Sequence, residues 1–259
     1  MITSTSNPKI QQLRRLTGRR SARLDAGAFV VEGPVLVAEA LAGPLEVLEV
    51  FLGEHVRAPH VGSARSEPII TPCADGVLER VLSTRTPQAM AAVVSRPDAS
   101  LSAVAASRGG ILVADQLADP GNAGTLIRAA EAAGFAGVVF SASSVDPFAP
   151  KVVRASAGSV LRVPVIDSTS SGRSIVESLA PRRAVGAVAS GGMPHLQMSW
   201  PADVVLVIGN EAHGLGDDVI AACDVTVTIE MDGPTESLNA AMAGTLLMFD
   251  VLRSRRTGA

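Results

Sequence analysis

Three short stretches of this 259-residue chain hold side chains whose types and spacing suit chemistry better than packing. They are Asp115 to Thr125 (DQLADPGNAGT), Gly209 to Asp217 (GNEAHGLGD) and Glu230 to Ser237 (EMDGPTES), and each follows an apolar run and precedes a helical stretch. With Asp218 they carry eight acidic residues, Asp115, Asp119, Glu211, Asp217, Asp218, Glu230, Asp232 and Glu236, and no Lys or Arg. That is a poor cradle for polyphosphate. A nucleoside triphosphate loop needs a Lys after its second Gly to meet the β and γ phosphates, and GNEAHGLG has none. A dinucleotide fingerprint needs G-x-G-x-x-G, whereas the glycines here stand at 209, 214 and 216. A hydrolase elbow is approached only at Arg154-Ala-Ser-Ala-Gly158, which lacks the first Gly and an evident His partner. Gly-rich loops without basic residues suit a ligand that joins a nucleoside to a positive centre, gripped by backbone amides and carbonyls. S-adenosyl-L-methionine is such a ligand.

The elements that must position these loops follow from the hydrophobic pattern. Runs rich in Val and Ile at 111–115, 137–141, 162–167, 184–189, 204–210 and 225–231 predict strands, and the stretches 123–133, 149–157, 171–180, 217–222 and 238–254 predict helices. This alternation predicts a parallel sheet covered by helices, with its site beyond the carboxyl ends of the strands. In the first loop Pro120-Gly121 makes a turn and Asn122 is placed to cap a helix opening at Ala123, with Arg128 about one turn past Gly124 and Thr125. In the third, Ser237 is placed to cap a helix opening at Leu238, leaving Asn239 in the first turn. Plainer roles exist for each: a cap for Asn122, a surface ion pair for Arg128, solvent exposure for Glu211, and an ordinary imidazole for His213.

The amino-terminal part differs in kind. Residues 1–108 carry 12 basic and 10 acidic residues, a charge of +2, whereas 109–259 carry 10 and 15, a charge of −5. Lys9, Arg14, Arg15, Arg19, Arg20 and Arg23 face a single acid, Asp25, on a stretch from Pro8 to Leu24 that predicts one helix. Such a cluster suits phosphate contacts, or is a solvated basic face. Apolar runs at 29–31, 47–52, 68–71 and 91–95 and a helical stretch at 34–41 predict a small α/β domain. The divisions expected are a domain over 1–98, a linker over 99–108 and a second domain over 109–259. Cys73 and Cys223 stand far apart and the four histidines are isolated, so neither a disulfide framework nor a metal site is expected. No run reaches the roughly 18–20 apolar residues of a membrane span, and no secretory signal pattern stands at the start. A cytoplasmic protein is the expectation. With no Tyr and one Trp, base stacking has few candidates, which shifts recognition toward Arg and shape.

Taken together the three loops resemble the three motifs of the SpoU (TrmH) family of SPOUT RNA methyltransferases. DPGNAGTLIRAA, beginning at Asp119, is similar to the first, with Asn122 and Arg128 in the functional positions. VIGNEAHGL, with Gly209 and Glu211, is similar to the second, and IEMDGPTESLN, with Ser237, Leu238 and Asn239, to the third. The stretch from Arg154 to Gly158, with Val163-Pro164, also resembles the region between the first two motifs. STSNPKI near the start, with Phe29-Val-Val-Glu-Gly33, resembles the ribosomal-protein-like RNA-binding domain that many of these enzymes carry. The amino-terminal pattern looks most like the rRNA methyltransferases, including those conferring thiostrepton resistance.

This resemblance implies a carboxyl-terminal domain with a deep trefoil knot, a homodimer whose interface builds the cofactor sites, and methyl transfer from S-adenosyl-L-methionine to a ribose 2'-OH. It further implies that Asn122, Ser237 and Asn239 position the RNA or the reacting hydroxyl, that Glu211 orients the site, and that Arg128 lies near the target ribose and phosphate. A guanidinium, which gives up its proton only in strongly alkaline solution, suits a stabiliser of the developing alkoxide better than a free base. Ile208, Gly209, Asn210, Gly214, Ile229, Met231 and Leu238 would hold the cofactor, and Lys9, Arg14, Arg15, Arg19, Arg20 and Arg23 the RNA. Other readings stay open: an RNA-binding or ribosome-assembly factor that keeps the fold without catalysis, a tRNA ribose methyltransferase, and an enzyme of the same fold that methylates a base nitrogen.

Overall fold

The Val- and Ile-rich runs after Gly110 form strands; those at 111–114, 137–140 and 205–208 are buried throughout, as expected where helices cover both faces of a parallel sheet, while those nearer the edges are half-buried. In the computed structural model, which describes residues 1–58, 67–235 and 237–257, the chain divides into two units. One comprises Met1–Asp98 with Phe148–Arg162, the other Ala99–Pro147 with Val163–Ala259.

The first unit is built from α1 (Pro8–Gly18), α2 (Arg20–Ala26), β1 (Ala28–Glu32), α3 (Pro34–Ala42), β2 (Val47–Gly53), β3 (Ile69–Cys73) and β4 (Met90–Ser95). Its sheet has the order β1-β4-β2-β3, antiparallel except between β2 and β3. Ile10, Leu13 and Leu16 of α1 pack on Val30, Phe51 and Leu78, the period expected of an amphipathic helix. The expected single helix over 8–24 is broken at Arg19, which is extended at φ −127° and ψ 124° just after Gly18, a poor helix former.

The second unit contains α4 (Leu101–Ala106), β5 (Ile111–Ala114), α5 (Pro120–Ala132), β6 (Gly137–Phe140), β7 (Val165–Asp167), α7 (Gly172–Ser178), β8 (Ala184–Ala187), β9 (Met193–Pro194), β10 (Val205–Ile208), α8 (Asp217–Ile220), β11 (Val225–Thr228) and α9 (Ala240–Thr257), while α6 (Pro150–Ala155) lies in the segment assigned to the first unit. Its sheet runs β7-β6-β5-β10-β8-β11-β9 with every pairing parallel. All six expected strands are present, and β9, a two-residue edge strand, was too short to stand out as a run. The core is aliphatic, with Ile111, Val113, Val139, Ile175, Val205, Val207 and Val219 together.

Two boundaries drawn from the sequence need correction. The stretch expected as a linker, 99–108, carries α4, whose Val104 is buried in the core of the second unit. The segment 148–162, expected within the second domain, packs in the first unit: Phe148 stacks near Phe29 at 5.1 Å between ring centroids, and Arg154 reaches Ser83 Oγ at 2.6 Å and the buried Glu32 at 3.5 Å. Such a return is a long-range contact, invisible to local periodicity.

Candidate functional site

The strands β10, β8 and β11 are neighbours in the parallel sheet, so the loops leaving their carboxyl ends converge, where ligands bind in open sheets of this class. They enclose a cavity of about 430 Å³. Ile208, Gly209, Asn210, Gly214, Ile229, Met231 and Leu238 line it, as do Glu211, His213 and Ser237. No Lys or Arg is among the lining residues. Gly209 has no space for a side chain, because a Cβ there would collide with the Gly214 carbonyl group and the Leu215 amide. The loop closes on itself there, with Asn210 and Gly214 exchanging backbone hydrogen bonds of 3.0 and 2.9 Å. Asn210 fixes it further: its Oδ1 accepts from the amides of Ala212 (2.9 Å) and His213 (3.2 Å), and its Nδ2 donates to the Gln116 carbonyl at 2.8 Å.

The three motif loops are tied by one chain of polar contacts. Glu211 accepts from the amide of Ala118 at 3.0 Å, from the amide of Asp119 at 2.9 Å, and from Asn122 Nδ2 at 2.9 Å. Asn122 Oδ1 accepts from Asn239 Nδ2 at 2.9 Å, and Asn239 Oδ1 accepts from the amides of Ala241 (2.9 Å) and Met242 (3.2 Å) at the start of α9. Desolvation pushes the Glu211 carboxyl upward, but the hydrogen bonds from Asn122 and the amides of Ala118 and Asp119 outweigh it and hold the group below its ordinary value. Glu211 therefore stays an anion that braces the first loop.

Two capping expectations are corrected. Asp119, not Asn122, caps α5: its carboxylate accepts from the Asn122 amide at 2.8 Å, and Pro120 takes the first helical position, where its missing N–H costs nothing. This frees the Asn122 side chain to join Glu211 and Asn239. Asn239, not Ser237, stands at the cap of α9, and Ser237 lines the cavity instead. Glu236, one of the acidic residues noted in the third loop, lies outside the described residues.

Arg128 is not brought to this group. It lies on the exposed face of α5, is absent from the cavity lining, and makes no hydrogen bond or ion pair among the described residues. Ala187, the last residue of β8, and residues 188–190 after it also line the cavity; the apolar run 184–189 predicts only a strand and gives no sign of them. The signal was present in Ala189-Ser190-Gly191-Gly192, small residues directly after a parallel strand.

In the first unit the basic cluster divides. Arg23 is 4% exposed and donates to the Leu16 carbonyl at 2.5 Å, and Lys9 is paired with Glu49 at 2.5 Å. Arg14, Arg15 and Arg19 are exposed, and Arg20 is half-buried. A buried Arg bonded to carbonyls holds the α1–α2 corner, so Arg23 is withdrawn from the surface that the sequence suggested.

Residues 110–249 match the model of the SpoU rRNA Methylase family, and residues 7–92 match that of the MRM3-like substrate binding domain. The chain is 30% identical over 250 residues to the 23S rRNA (guanosine(2553)-2'-O)-methyltransferase RlmP of Bacillus subtilis, covering 96% of this chain and 97% of that one. It is 31% identical over 272 residues to a 23S rRNA (uridine(2479)-2'-O)-methyltransferase of Streptomyces viridochromogenes, covering 99% and 93%. Among solved structures, it superposes on the SpoU methyltransferase AviRb of Streptomyces viridochromogenes in complex with AdoMet at a TM-score of 0.86, with 29% identity, covering 98% of this chain and 100% of that one.

Proposed function

The chain belongs to the SpoU rRNA methylase family, and from that premise we propose that it transfers the methyl group of S-adenosyl-L-methionine to a ribose 2'-hydroxyl of large-subunit ribosomal RNA. The observation that carries this reading is the hydrogen-bonded chain Glu211–Asn122–Asn239, which joins all three motif loops around a backbone-lined cavity.

The cavity fits the cofactor. Its volume, about 430 Å³, is within the range of roughly 300–1,000 Å³ typical of small-ligand sites. Ile208, Ile229, Leu238 and Leu247 offer apolar surface to an adenine, and the crowded backbone at Gly209 offers amides and carbonyls without a competing side chain. S-adenosyl-L-methionine supplies a methyl group already activated on a sulfonium, so the protein's task is to align the attacking oxygen and ease loss of its proton. Asn122, Ser237 and Asn239 orient the ribose edge, and Glu211 holds the first loop in register. Arg128 neutralises the developing alkoxide and anchors a flanking phosphate through its guanidinium.

A second copy of the chain completes the site in this reading. Arg128 is exposed and unpartnered among the described residues, and α9 presents Met242 (63% exposed) and Phe249 (44% exposed) two turns apart on one face, an apolar stripe suited to a self-complementary contact. The knot belongs to the same reading, supported by the insertion of β10 between β5 and β8, both laid down earlier in the chain. Arg14, Arg15 and Arg19 engage RNA phosphates, and the enzyme works where ribosomal RNA is, in the cytoplasm. The test is incorporation of label from methyl-labelled S-adenosyl-L-methionine into unmodified 23S rRNA. We expect about one methyl per RNA at saturation for a single-site enzyme; transfer to tRNA alone would overturn the choice of substrate.

A further inference from the structure

A second polar network lies behind the cavity loops. Asp115, the residue after β5, is 2% exposed, and Ser141, the residue after β6, is fully buried. Ser141 Oγ donates to Asp115 Oδ1 at 2.7 Å and accepts from the Gln116 amide at 3.0 Å, one hydroxyl using its single proton and a lone pair. Gln116 stands at φ 51°, a left-handed conformation that a residue with a Cβ adopts only when its surroundings hold it there. In that conformation its carbonyl receives Asn210 Nδ2. Asn210 in turn gathers the amides of Ala212 and His213 into the turn that closes the cavity.

No cation pairs with Asp115 among the described residues. Burying a carboxylate without one is costly. Gly172, at the start of α7, packs against the carboxylate on its Oδ1 side and leaves no room there for a Cβ. Among the described residues, the side chains of this network reach the cavity lining through Asn210, while the Asp115 amide donates to the carbonyl of Ile208, another lining residue, at 2.8 Å.

We propose that Asp115 is a positioning residue for cofactor binding: through Ser141 and the left-handed turn at Gln116, it sets the Asn210–Gly214 loop in its binding shape. The inference rests on the methyltransferase reading of the cavity. Asp115→Ala removes the acceptor of the Ser141 hydroxyl. Ser141→Ala removes the link itself while deleting a single oxygen. Asp115→Asn keeps an oxygen acceptor at the same place.

The experiment measures Kd for S-adenosyl-L-methionine by calorimetry and kcat at saturating cofactor, on the full chain. Losing a buried hydrogen-bond partner is expected to raise Kd about tenfold in Asp115→Ala and Ser141→Ala, with kcat kept within about threefold. Asp115→Asn is expected to stay within about twofold of wild type, because its oxygen still serves Ser141. The two alanine changes together should be no worse than the weaker single variant, since they cut one chain of contacts. Should Asp115→Ala fail to fold, Ser141→Ala decides. Wild-type affinity in Ser141→Ala would overturn the inference alone, whereas no cofactor binding by the unaltered chain would overturn the cavity reading and this inference with it.

Discussion

At the scale of residues, one carboxylate organises the candidate site. Glu211 takes two backbone amides and a side-chain amide, and its anionic form is favoured by all three. Glu211→Ala leaves those donors without their acceptor, and we expect methyl transfer to fall by about a hundredfold or more, as for loss of a charge-bearing hydrogen-bond hub. Glu211→Gln, which offers one acceptor oxygen, should fall between the two in single-turnover assays. Because the folded value is below the ordinary glutamate value of about 4.3, the stability this group gives is fully present above that pH and is lost as pH falls through the lower folded value. Cofactor affinity between about pH 8 and 5 should therefore show no titration from Glu211; a step centred near 6 that vanished in Glu211→Gln would contradict the bracing role. The types of Glu211, Asn122 and Asn239 were legible in the sequence, but their partners were not. Asp119 and Asn122 are both cap-forming residues three positions apart, and only the preference of Pro120 for the first helical position picks Asp119.

At the scale of elements, helix termini position the candidate site. Asn239 caps α9 with its oxygen and binds Asn122 with its nitrogen. Asn239→Asp keeps the cap and loses the donor, so thermal stability should be nearly unchanged while methyl transfer drops. Asn239→Ala should lose both, with a cap cost of about 1 kcal/mol; equal activity in the two variants and wild type would sink this division of labour. The corner between α1 and α2 makes the same point for the basic cluster. Replacing Arg14, Arg15 and Arg19 by Gln should weaken RNA binding and lower the magnitude of the log–log salt slope by about 2–3, each contact contributing about 0.7–0.9. Arg23→Gln should act instead on the melting temperature, since its guanidinium serves the Leu16 carbonyl. Charge counting from sequence could not separate these, because an arginine that turns inward and one that faces solvent are the same letter. The strands of the second unit were legible as buried Val and Ile runs, whereas the break at Arg19 depended on how a poor helix former beside a basic run was resolved by packing.

At the scale of the molecule, the sequence supports two units but not their membership. Segment 148–162 belongs to the first unit through the Phe29–Phe148 contact and the Arg154 bonds, which span 71 positions or more and leave no periodic trace. The proposed dimer also belongs to this scale. Phe249→Asp places a charge on the apolar stripe of α9 and should convert a dimer to a monomer in sedimentation, with loss of methyl transfer. If Arg128 serves the partner's cavity, mixing Arg128→Ala and Gly209→Val subunits should restore activity that neither has alone; a monomeric, fully active Phe249→Asp would contradict the shared site. The central claim is the reaction itself, and its most direct measurement is mass spectrometry of nucleosides from 23S rRNA treated with the protein and methyl-labelled S-adenosyl-L-methionine. The account predicts label on a 2'-O-methyl ribose, resistant to alkaline cleavage at its 3' side. Label on a base, or none from a protein that demonstrably binds the cofactor and the RNA, would contradict it.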